Sequence, residues 1–203
     1  LGVRRQRQMC IRDRFHADLL IEENVGTPEE QKKLLEFIKK LSGVHENKTL
    51  SNEGCFRFDF PVMKHKITWL NNAMKNITER AINHYVPLDR SYKRELEKTN
   101  MGMVYESWVN INEPNSKNIL HAHKDHMFAC VYYLQGTDTG AITFQNPGNL
   151  LVDCSMLSPF VRRFGHTPKD GDLILWPAWV PHEVEVNTSD RQRINITSNI
   201  NVK

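Results

Sequence analysis

The chain has 203 residues, of which 39% are hydrophobic and 25% charged, with a formal net charge of +3. That length accommodates one sizeable core and not comfortably two, the composition excludes a disordered chain, and no apolar run approaches the roughly 20 residues that span a bilayer. The positive charge is local: Arg4, Arg5, Arg7, Arg12 and Arg14 stand against Asp13 alone, so the remaining chain is slightly negative and presents no basic face for nucleic acid.

Residues 1–14 read as a non-native or disordered arm. The stretch Arg4–Asp13 looks like a translated sequencing adapter, and no apolar segment follows its arginines to make a signal peptide. Residues 15–203 read as a single domain, with a helical layer over about 27–100 and a β core over about 101–203. Thr27-Pro28-Glu29-Glu30 predicts a helix start, with a threonine cap, proline at the first helical position and acids in the first turn. Leu34, Leu35, Phe37, Ile38 and Leu41 follow at helical spacing up to Gly43. Phe56, Phe58 and Phe60 suggest a short strand. Ile67, Leu70, Met74, Ile77 and Ala81 mark one face of a second helix, and the charged stretch Asp89–Asn100 reads as a helix or solvated connector.

From Met101 the period shortens to two. Val104–Asn112, Phe128–Leu134, Ala141–Phe144, Asp172–Trp176, His182–Val186 and Arg193–Ile200 read as strands, punctuated by Gly, Pro, Asn and Asp. The fold class expected is mainly β with N-terminal helices, built on a double-stranded β-helix or jelly-roll core. Trp176 and Trp179 read as core residues. Cys10, Cys55, Cys130 and Cys154 form no CxxC pair, which fits free thiols in a reducing, cytoplasmic setting.

Three elements carry chemistry. In His121-Ala122-His123-Lys124-Asp125, strand alternation lets residues 121, 123 and 125 share one face. The apolar run from Gly171 turns at Pro177 and Pro181 and delivers His182. Two neighbouring ligands plus a distant histidine form the pattern of a facial-triad iron site, which leaves coordination positions open. On the last strand Arg193, Asn195 and Thr197 share a face. A guanidinium inside a barrel is costly without an anion, and a bound dicarboxylate would supply one.

Trp108–Asn112, Asn118–His123, Val131–Leu134, Gly140–Pro147, Gly171–His182 and Arg193–Asn199, with Ser51–Gly54 upstream, resemble a branch of 2-oxoglutarate- and iron(II)-dependent oxygenases of marine bacteria and their phages, within the prolyl-hydroxylase-like superfamily. The resemblance implies Fe(II) and 2-oxoglutarate as cofactors. It implies hydroxylation of an unidentified small molecule or protein side chain, with conversion of 2-oxoglutarate and O2 to succinate and CO2. It also implies that Arg193 binds the distal carboxylate of 2-oxoglutarate, that Tyr132 donates a hydrogen bond to it, and that Asn195 and Thr197 line the same pocket. The branch points to His121, His123 and His182 as metal ligands, whereas the wider superfamily's His-x-Asp pattern points to Asp125 in place of His121. A three-histidine dioxygenase that does not use 2-oxoglutarate, and a non-catalytic jelly-roll binding module, are the competing functions. The loop Asn149–Thr167 is the expected seat of substrate choice.

Overall fold

The computed structural model describes residues 17–47, 52–85, 102–146 and 163–202. The readings of residues 1–14, of Asp89–Asn100 and of most of Asn149–Thr167 lie outside these.

Thr27 caps α1 (Pro28–Ser42). Its hydroxyl accepts the Glu30 N–H, and the Glu30 carboxylate accepts the Thr27 N–H in return. Two donors that the helix cannot satisfy are thereby matched. Leu34 and Ile38 form its buried stripe, and Gly43 closes it in a right-handed conformation. A 3-10 turn at Val62–His65 precedes α2 (Thr68–Tyr85), which buries Leu70, Met74, Ile77 and Ala81.

Nine strands form one antiparallel, curled sheet among the described residues. They are β1 (Leu20–Glu22), β2 (Asn52–Asp59), β3 (Met103–His121), β4 (Phe128–Gln135), β5 (Ile142–Gln145), β6 (Arg163–His166), β7 (Leu173–Pro177), β8 (His182–Val184) and β9 (Arg193–Val202). The order is β1-β7-β4-β9-β3-β8-β5-β6, with β2 on the flank of β3. The short β1 escapes the sequence pattern. β3 runs on to His121 instead of ending near Asn112: it pairs with β9 over Met103–Asn112 and with β8 at Asn118 and His121. Asn115, at φ 66°, lies between these two stretches, where the strand passes from one leaf of the fold to the other.

Alternation sorts the side chains into two cores. From β4, Phe128, Cys130, Tyr132 and Leu134 join Leu173 and Leu175 of β7 and Ile194 and Ile196 of β9 under the helices. Ala129, Val131 and Tyr133 point the other way, packing with Ile174, Trp176, Ile142 and Phe144 between the leaves. Each fully buried Leu, Ile or Phe contributes about 1.5–3 kcal/mol. A one-residue slip of β4 would exchange its two faces. The arrangement is the expected double-stranded β-helix with a helical layer on one leaf.

Candidate metal and cofactor site

Between the leaves lies a cavity of about 320 Å³. On one side it meets His121, His123 and His182. On the other it meets Asn110, Asn195, Thr197 and Asn199. No Asp or Glu lines it among the described residues.

His121 and His182 face each other across the β3–β8 register, and His123 follows where β3 ends, its backbone N–H donating to the Ala178 carbonyl at 2.9 Å. One ligand nitrogen from each of the three imidazoles lies within 4.8 Å of the others. His121 Nδ1 lies 2.7 Å from the Ile119 carbonyl and His182 Nδ1 lies 3.2 Å from the Val180 carbonyl. A carbonyl only accepts, so Nδ1 carries the proton in both and Nε2 keeps its lone pair for a metal. Burial drives all three pKa values down. His123 falls to about 3, helped by the neighbouring His121, His126 and Arg57, while His182 falls well below its ordinary value and His121 falls also. Neutral imidazole is the form that ligates. Asp125 is set apart from this group. It is exposed and sits at φ 66° in the turn after β3, where strand alternation no longer orients it toward His123.

Arg193 is 1% exposed and continues the face of β9 that presents Asn195, Thr197 and Asn199 to the cavity. Its Nη1 donates to the carbonyls of Thr139 (2.6 Å) and Glu185 (3.2 Å), and its Nη2 is buried without a hydrogen-bond partner among the described residues. It makes neither of the surface pairs, with Asp190 or Glu183, that its sequence neighbours would allow. Gly140 permits this seat. At φ +94°, with the Val186 carbonyl 3.0 Å from where a Cβ would stand, it brings the Thr139 carbonyl to the guanidinium. Burial lowers the arginine's pKa, and the Tyr133 phenol beside it acts in the opposite sense.

Tyr132 requires a correction. Its ring lies on the helix side against Trp69, and its hydroxyl donates to the Val25 carbonyl at 2.8 Å. Tyr133, the next residue and so on the opposite face of β4, lines the cavity. Asn195 and Thr197 do line it, tied through Asn110, whose amide donates to both. Trp176 is buried and reaches the cavity, within 4.9 Å of His182 between ring centroids, whereas Trp179 is 51% exposed and not part of a core.

One residue of this site is absent from the sequence reading. Arg57 on β2 lines the cavity, its guanidinium carbon 4.1 Å from the centre of the Trp108 ring. The signal was present in Phe56-Arg57-Phe58-Asp59-Phe60, where three phenylalanines claim one face and leave Arg57 to the other.

Three converging imidazoles, two of them tethered through Nδ1 so that Nε2 is left free, form a group that could hold a metal ion, and the β9 face beside them continues to a buried, half-satisfied guanidinium that suits an anion. Residues 106–199 match the family described as "Putative 2OG-Fe(II) oxygenase". That match spans the strands that carry the site. No curated protein matches the sequence. Solved structures share the fold. A Pseudomonas putida prolyl-4-hydroxylase superposes with TM-score 0.62 at 16% identity, covering 93% of this chain and 95% of that one. A Trichoplax adhaerens prolyl hydroxylase, in complex with a peptide fragment of hypoxia inducible factor, gives 0.60 at 15%, covering 90% and 82%. HygX from Streptomyces hygroscopicus, solved with nickel, 2-oxoglutarate and hygromycin B, gives 0.56 at 11%, covering 91% and 82%. Among the described residues no helix is long and apolar enough to cross a membrane.

Proposed function

We propose that this oxygenase holds Fe(II) with His121, His123 and His182, grips the distal carboxylate of 2-oxoglutarate with Arg193, and hydroxylates a C–H bond of a small molecule or protein side chain. The observation that carries the reading is the orphaned Nη2 of Arg193, on the β9 face that runs along the cavity toward the histidines. A buried guanidinium lacking one partner is destabilising, and a carboxylate that accepts from it removes the cost. The three imidazoles fit a divalent metal by number, protonation and convergence.

Bound Fe(II) and 2-oxoglutarate supply the oxidising chemistry, in which one oxygen of O2 enters the substrate and the other enters succinate as CO2 leaves. The chain's own residues set the stage for it. The Ile119 and Val180 carbonyls fix the imidazole orientations. Val131, Ile142 and Trp176 supply apolar walls that keep water from the reacting centre. Asn110, Asn195 and Thr197, bonded to one another, form a fixed polar floor. Tyr133, beside Arg193, takes the supporting place expected of Tyr132. The similar structures solved with hygromycin B and with a peptide are consistent with either substrate type.

Calorimetric titration of 2-oxoglutarate into Zn(II)-loaded and metal-free protein tests the reading. Binding that requires both the metal and Arg193, together with succinate formation matched to O2 uptake when Fe(II) is supplied, supports it. Metal binding without any affinity for 2-oxoglutarate would instead favour the three-histidine dioxygenase.

A further inference from the structure

Arg57 lines the cavity, whereas Arg193 does not line it and lies further along the same face of β9 as Asn195 and Thr197. Arg57 sits opposite Asn110 in the β2–β3 register, and Asn110 sits opposite Asn195 in the β3–β9 register. Arg193 belongs to the next same-face row, opposite Asn112. The Arg57 guanidinium stacks on Trp108, turned away from the Arg193 row, and the Trp108 ring is in turn 6.0 Å from that of His123. Arg193 and Arg57 therefore occupy different rows, and Arg57 is the one that shares the cavity with the histidines.

The chemistry around Arg57 is that of a ligand grip. Its Nε is buried without a hydrogen-bond partner among the described residues. Burial lowers its pKa, a cost that Asp59 on the same strand face offsets in part. Asp59 is exposed and does not line the cavity, so the cavity side of the guanidinium meets amides, aromatic rings and imidazoles. Stacking on an indole fixes the guanidinium plane, and the unpartnered Nε is a donor that suits a planar carboxylate.

We propose that Arg57 anchors a carboxylate of the primary substrate, so that this enzyme acts on a carboxylic acid. The proposal rests on the assignment of Arg193 to 2-oxoglutarate, since otherwise Arg57 would be a candidate for that cofactor. Phe144 and Phe164 face each other in the β5–β6 register, on the face shared with His182, and Phe164 is 48% exposed. They offer apolar surface to the body of such an acid.

The test uses matched acids and amides: N-acetylglycine, N-acetyl-L-leucine and N-acetyl-L-phenylalanine against their carboxamides, titrated into Zn(II)- and 2-oxoglutarate-loaded protein and followed by ligand-observed NMR. At least one acid is expected to bind roughly 10-fold or more tightly than its amide, the ratio that one charge-assisted hydrogen bond supplies. Arg57→Gln should bring the ratio to about one with 2-oxoglutarate affinity and melting temperature unchanged, and Arg57→Lys should keep part of the preference. Equal binding of acids and amides, or binding of neither, overturns the proposal. So does a loss of 2-oxoglutarate affinity in Arg57→Gln, which would make Arg57 a cofactor ligand. Tighter binding of glycerol 3-phosphate than of any acid overturns the carboxylate assignment. Failure of the wild-type protein to take up Zn(II) or 2-oxoglutarate sinks the metal-centre reading instead. An acid preference that persists in the metal-free protein still supports the role of Arg57.

Discussion

His121 and His182 stand directly opposite one another across the β3–β8 ladder, with ring centroids 4.3 Å apart, and each is tethered through Nδ1 to the carbonyl two residues before it. Neither imidazole needs to search for its orientation, and their relative position is fixed by backbone hydrogen bonds.

Loss of either ring should therefore abolish metal binding. His121→Ala and His182→Ala are each expected to lose stoichiometric Zn(II) or Fe(II) in equilibrium dialysis, because a facial site has only three protein ligands. Asp125→Ala should retain the wild-type stoichiometry. The reverse pattern, with Asp125→Ala empty and His121→Ala loaded, would restore the His-x-Asp arrangement and remove His121 from the site.

Arg193→Ala should weaken 2-oxoglutarate binding by roughly 10- to 100-fold, the range for a charge-assisted hydrogen-bonded pair. It also frees the Thr139 and Glu185 carbonyls, so the melting temperature should fall. Arg193→Lys keeps the charge but not the planar fork. It should recover part of the affinity in the same calorimetric titration.

The two adjacent tyrosines should separate cleanly. Tyr132→Phe removes one of the two donors to the Val25 carbonyl, which keeps that from the Gln31 side chain, and should cost about 1 kcal/mol in urea denaturation, without changing 2-oxoglutarate affinity. Tyr133→Phe should change that affinity with a smaller effect on stability. If Tyr132→Phe alone impairs cofactor binding, the face assignment of β4 is wrong.

Asp170 provides a test of pH dependence away from the metal. Burial raises the pKa of its carboxylate, but the Gly136 and Thr137 N–H groups, the Thr137 hydroxyl and Arg191 outweigh burial and hold it below its usual value. A depressed folded-state pKa means that the stabilising contribution is complete above the unfolded value near 3.8 and disappears as pH falls through the folded one. Asp170→Ala should cost about 1–2 kcal/mol at neutral pH. The gap in urea midpoints between the variant and the wild type should close in strong acid. A gap independent of pH would mean that the carboxylate's charge is not what holds this turn.

The histidines were legible in the sequence because few residue types ligate metal and because β alternation and the Pro177–Pro181 turn announce their own geometry. Alternation alone could not choose between His121 and Asp125. Which of them lies against His123 and His182 depends on where β3 stops, and β3 stops at His121. Tyr132 was misplaced by one position for a related reason. Every residue of β4 from Phe128 to Leu134 is buried, so no polar alternation tells the helix side from the cavity side. Arg57 was hidden more deeply, since its place depends on a pairing between β2 and β3 that only the folded chain sets.

The passage of β3 through both leaves has a mechanical consequence. Asn110, which organises the polar floor, and His121, which faces His182, belong to one strand that shifts its pairing register between them. The spacing between that floor and the histidines is thereby written as a count of residues along a single ribbon. Loops at the rim can lengthen, shorten or change character without disturbing that gauge, whereas a single insertion near Asn115 would throw it out of register.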